Sequence, residues 1–122
     1  MRKELAAVLL LGLIASAAPA WAGAKGADHK GAREQVDFGI TVAQRGLWKE
    51  ALYRWERAVE LDPEYAAAWN NLAIAYEHEG KFDEARKAYE KALALDPKNL
   101  MIKQNYDLFK EINDRANRKP DR

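Results

Sequence analysis

The chain contains no cysteine. That absence removes disulfides, thiolate chemistry, cysteine zinc sites and covalent haem attachment together. Histidine is nearly missing too: His29 and His78 are the whole supply, and neither has a second histidine at ligand spacing. Acid–base or nucleophilic catalysis needs a positioned pair or triad, and no such constellation stands out. Charge of one sign is also lacking, with 20 basic against 19 acidic residues. Sequence-independent binding to nucleic acid runs on a basic excess, so nucleic acid is not an expected partner. Glu56, Glu60, Asp83 and Glu90 alternate with Arg57, Lys87 and Lys91 at i, i+3 and i+4 distances, the pattern of a solvated helix face. The expectation is a protein that is no enzyme and carries no cofactor and no metal.

What the chain has in place of chemistry is repetition. Gly46 to Pro63 set against Gly80 to Pro97 gives eight identities in eighteen places: Gly46/Gly80, Glu50/Glu84, Ala51/Ala85, Glu56/Glu90, Ala58/Ala92, Leu61/Leu95, Asp62/Asp96 and Pro63/Pro97. The offset is 34 residues, the period of a helix–turn–helix unit stacked in tandem. Ala51 and Ala58, like Ala85 and Ala92, fall seven apart on one helix face, where small side chains admit a close neighbour. Gly46 and Gly80 suit the left-handed backbone just past a helix end. Asp62-Pro63 and Asp96-Pro97 read as the boundary between units, with aspartate able to cap a first turn and proline able to occupy the first helical position. Trp69, Leu72, Ala73 and Tyr76 keep helical spacing.

On these residues the chain resembles the tetratricopeptide repeat (TPR) family. Trp69, Leu72, Ala73, Tyr76, Gly80, Ala85, Tyr89, Ala92 and Pro97 follow that pattern, with Ala73 where glycine is usual. The earlier unit matches less fully at its front (Gln35, Phe38, Gly39, Val42) and better at its back (Gly46, Ala51, Trp55, Ala58, Pro63). A third, incomplete unit keeps only Tyr106. The resemblance implies an all-α helix–turn–helix solenoid of two full repeats, 32–65 and 66–99, with a capping helix at 100–116. Helices are expected at about residues 33–45, 49–61, 64–79, 83–95 and 98–116. Trp48, Trp55, Trp69, Tyr76, Phe82 and Tyr89 read as the bulky half of the helix interfaces. In the last helix Ile102, Tyr106, Phe109 and Ile112 would face back onto the stack.

The N-terminus carries an address. Met1-Arg2-Lys3 precedes an uncharged apolar run from Leu5 to Ala18, and Ala20-Trp21-Ala22 offers small-x-small for a signal peptidase. Residues 1–22 read as a secretory signal, giving a periplasmic or secreted protein with no membrane insertion after cleavage. An uncleaved membrane anchor is the alternative, disfavoured by Gly12, Ser16, Pro19 and Gly23 within a run that should hold about 20 strongly apolar residues. Removing 1–22 leaves a formally neutral remainder. Residues 23–31, rich in glycine, alanine and lysine, read as a flexible leader, and 117–122 as a disordered tail.

The family resemblance implies that the first helix of each pair lines a concave groove for a peptide or helix of another protein. Its lining would be Val36, Asp37 and Ile40; Asn70, Asn71, Ile74, Glu77 and His78; and Gln104, Asn105 and Leu108. Ile40, Ile74 and Leu108 stand 34 apart and would form an apolar row; Asn71 and Asn105 repeat at the same offset, with Asp37 in the equivalent place. Asparagine carries donors and acceptors and can bracket a peptide backbone. Three uses of the row stay open: a partner's docking site, self-pairing in a homo-oligomer or envelope assembly, and a seat for the leader or the closure of the superhelix itself. His78, near a helix end between Glu77 and Glu79, has no assigned role beyond this lining.

Overall fold

The computed structural model describes residues 12–14 and 26–118. Among them are five helices and no strand: α1 His29–Gln44, α2 Trp48–Leu61, α3 Ala66–His78, α4 Phe82–Leu95 and α5 Leu100–Asn117. Helices α1 and α2 pack as one hairpin and α3 and α4 as a second. Contacts of α2 with α3, and of α1 with α3, set the hairpins side by side, and α5 closes the far end against α4. Hairpins nested at a 34-residue repeat make this an all-α, TPR-like solenoid. Among the described residues no helix is long and apolar enough to cross a membrane. The cleavage motif at 20–22, the first leader residues 23–25 and the tail beyond Arg118 lie outside the described residues.

The repeat holds at the level of single turns. Gly46 and Gly80 take φ of +80° and +73°, the left-handed region where a side chain is strained. Leu47 N–H then donates back to Val42 C=O at 3.0 Å, and Lys81 N–H to Tyr76 C=O at 2.8 Å, the same closure 34 residues on. The Asp-Pro boundary departs from expectation. Asp62 and Asp96 do not open the next helix; they end the one before, and α3 and α5 begin at Ala66 and Leu100. Asp62 Oδ1 instead accepts from Glu64 N–H at 3.2 Å, an Asx turn that leads the chain around. The cap of α5 is Asn99, whose side chain accepts from the Met101 and Ile102 N–H groups.

The first helix also begins earlier than its apolar spacing predicts, at His29 and inside the stretch read as a leader. Two ties outside that pattern explain it. The Asp28 side chain accepts from Gly31 N–H at 2.8 Å, and Asp28 N–H donates to Leu61 C=O at 2.9 Å. His29 Nδ1 lies 2.5 Å from Oδ2 of the buried Asp62. The start of the first hairpin is therefore fastened to its own far end.

Two clusters fill the interior. One joins Ala32, Val36, Ala43, Ala51, Trp55, Ala58, Ala68 and Leu72; the other joins Ala73, Ile74, Ala85, Ala88, Tyr89 and Phe109. Trp55 and Tyr89, equivalent by the repeat, are both fully buried, whereas Trp48, Trp69 and Tyr76 are half-buried. Phe82 is less enclosed than expected, 49% exposed, and its ring lies 6.5 Å from that of Phe109 on α5. Helix α5 docks through rings: Tyr106 and Phe109 each lie 5.5 Å from Tyr89, and Ile102 of the same helix is fully buried.

Candidate peptide-binding groove

Helices α1 and α3 open the two hairpins, and side chains of α3 and α5 meet across one face. Packing claims part of that face. Val36 is fully buried in the first cluster, and its C=O accepts from the Trp55 indole N–H at 3.2 Å, so it belongs to the core and lines nothing. Ile74 is fully buried too, while Ile40 and Leu108 are half-buried. The three do not form the open apolar row expected of them. Asp37 and Gln104 are exposed at the margin.

What the face does bring together is amide groups. Asn70 and Asn71 are fully buried on α3, and Asn105 stands across from them on α5. They bond to one another: Asn105 Nδ2 donates to Asn70 Oδ1 at 3.0 Å, and Asn70 Nδ2 to Asn71 Oδ1 at 3.1 Å. A buried carboxamide left unpaired costs about 1–3 kcal/mol, so such a row needs partners for its remaining valences. Residues 12–14 of the same chain supply them. Gly12 C=O accepts from Asn70 Nδ2 at 2.8 Å and from Asn105 Nδ2 at 2.9 Å. Asn71 brackets Ile14, accepting from its N–H at 3.0 Å and donating to its C=O at 3.2 Å. One carboxamide thus meets one residue's backbone at both ends, as a neighbouring strand would.

The side chains of this short segment add apolar contact. Leu13 packs against both interior clusters, and Ile14 against the first, where Ile40 also lies. Gly12 is buried, and a Cβ there would overlap the Asn105 carboxamide. The three asparagines named from the sequence lie together in the structure, and residues 12–14 of the same chain, which the sequence did not point to, lie against them. Nothing could have exposed this contact, since an apolar run reads alike whether it crosses a membrane or fills a groove.

Glu77 and His78 are the last two residues of α3. Burial pushes the Glu77 carboxyl up to about 7, against the Tyr89 hydroxyl that donates to it and draws it down. Tyr89 is in turn raised by its own burial and by the Glu77 charge. His78 stacks flat on Trp48, with ring centroids 3.4 Å apart and planes 9° apart. Burial lowers its pKa to about 4, and its Nε2 has no hydrogen-bond partner among the described residues. No group of three or more metal-ligating side chains occurs among the described residues. The groove itself offers neutral donors and acceptors, suited to holding a peptide backbone.

Two family models match parts of the chain. A TPR repeat model matches residues 42–80, and a tetratricopeptide repeat model matches residues 66–99. No curated protein matches the chain. Repeats of this kind mediate protein–protein interaction. Residues 42–99 carry tetratricopeptide repeats, set within a five-helix TPR-like solenoid.

Proposed function

We propose that this protein is an exported, non-enzymatic adaptor or scaffold that holds an extended segment of an envelope protein in the α1/α3/α5 groove. The observation that carries the reading is the Asn71 bracket on the Ile14 backbone, which is made to main-chain atoms alone. Export rests on the basic start, apolar run and small-x-small motif of residues 1–22. With two repeats the contact area lies at or below the low end of stable interfaces, so binding by one groove is modest in affinity. The test places a photo-crosslinking residue at Ile40 in cells and sequences what is attached. A discrete apolar segment of one envelope protein, lost in the Asn71→Ala/Asn105→Ala double variant, is the expected result. Attachment that is diffuse, or indifferent to the double variant, contradicts it.

A structural role in a homo-oligomer is the second reading, supported by Leu100 and Met101, which stand 72% and 42% exposed side by side at the start of α5. Light scattering separates the two. A dimer split by Leu100→Glu/Met101→Glu favours the second reading, and a monomer favours the first.

A further inference from the structure

The groove's occupant belongs to this chain, and its fit is specific. Three of its backbone polar groups meet side-chain amides from two helices, with four hydrogen bonds between 2.8 and 3.2 Å. Gly12 is the position where the amides come closest, because two donors converge on its carbonyl and any Cβ would collide with Asn105. Its backbone is not in the left-handed region, so glycine is demanded here by space and not by φ. Leu13 follows, packed against both clusters, and then Ile14. A surface that merely tolerated an apolar tail would bond its backbone less completely and would not exclude a methyl group.

We propose that Gly12-Leu13-Ile14 is a tethered ligand: it fills the groove for as long as it remains part of the chain, and the groove selects a glycine–apolar–apolar segment. This rests on the groove being a peptide site, as in the reading above. A ligand joined to its site by a short stretch of one chain acts at an effective concentration on the order of millimolar. A free peptide binding in the micromolar range is then held off by a factor of ten or more. Loss of the segment, by proteolysis or by a competitor, opens the site. An incoming partner is expected to present glycine where Gly12 sits, because a side chain there would push the Asn105 carboxamide off its bonds to Gly12 and Asn70.

The test uses the full chain and a labelled peptide with the sequence of residues 10–16, carrying lysines at both ends for solubility, followed by fluorescence anisotropy. The parent chain is expected to bind it weakly. The Gly12→Leu chain, whose own segment no longer fits, should bind it at least tenfold more tightly, and adding Asn71→Ala should abolish the gain. A peptide with leucine in place of its glycine should bind neither chain. Equal binding by parent and Gly12→Leu chains, or acceptance of the leucine peptide, overturns the proposal. Hydrogen exchange on the parent gives a second reading free of any folding defect: the Ile14 amide should be protected at least tenfold over an unstructured amide, and full exposure overturns the proposal. A Gly12→Leu chain that ignores the peptide yet still crosslinks an envelope segment would sink the tethered ligand alone. One that binds the peptide and crosslinks nothing would sink the adaptor alone.

Discussion

The two hairpins solve one packing problem in two ways. In the first, the large Trp55 reaches across to α1, where Gly39 leaves it room; a Cβ on Gly39 would overlap the indole. In the second, the smaller Tyr89 occupies the equivalent place, and Ala73 stands where glycine was. Volume is exchanged between facing positions so that the interface stays close-packed. The polar ends differ as well. The Trp55 N–H finds a backbone carbonyl, while the Tyr89 hydroxyl finds the carboxylate of Glu77. Equivalent positions in a repeat thus conserve bulk in sum while the second hairpin acquires a titratable bond that the first lacks.

The largest expected effect comes from emptying the first of these sites. Trp55→Ala should cost about 3–5 kcal/mol, with Trp69→Ala, half-buried, costing clearly less. Domains of this size hold about 5–15 kcal/mol in reserve, so urea unfolding should find the Trp55 variant near collapse. Equal midpoints for the two variants would contradict the comparison.

Next in size is overpacking. Gly39→Ala should cost about 1–3 kcal/mol, because the indole it meets is itself buried. Adding Trp55→Tyr, which copies the second hairpin into the first, should recover part of that loss. A double variant no better than the single one would mean that the exchange of volume is coincidence.

The smallest effects concern pH. In the folded chain Glu77 keeps its proton to about pH 7, whereas an unfolded glutamate releases it near 4.5. Between those values the folded state binds more protons, so this residue's contribution falls as pH rises. His78 acts in the opposite sense: its folded pKa near 4 lies below the ordinary 6.5, so stability falls as pH drops through that window. The two slopes oppose each other between about pH 4.5 and 6.5. Relative to the parent, Glu77→Gln should make the melting temperature climb more steeply with pH there. His78→Gln should make it decline. Parallel profiles for all three proteins would show that neither group titrates as its burial demands.

Helix positions were legible in the sequence because they follow from local spacing and an internal repeat. Helix starts were not, wherever a tertiary bond decided them. The early start of α1 depends on Asp62 reaching His29 and on Leu61 accepting from Asp28, pairings between residues more than thirty apart. Within the groove, Asn71 and Asn105 were readable as a repeated polar pair. The burial of Ile74 was not, because it depends on which residues lie across the groove. Val36 was lost to the core for a similar reason, since its role is set by how far Trp55 extends. The Glu77–Tyr89 bond joins two helices, and no single-helix pattern announces it.

Nuclear Overhauser contacts in the 122-residue chain test the central claim, that a row of carboxamides on one face of the stacked hairpins grips a peptide backbone. The account predicts close contacts from the Gly12 and Ile14 backbone protons to the side-chain amides of Asn70, Asn71 and Asn105, with Leu13 methyls against the Ile74 cluster. Random-coil shifts for residues 12–14, with free asparagine amides on intact helices, would contradict it.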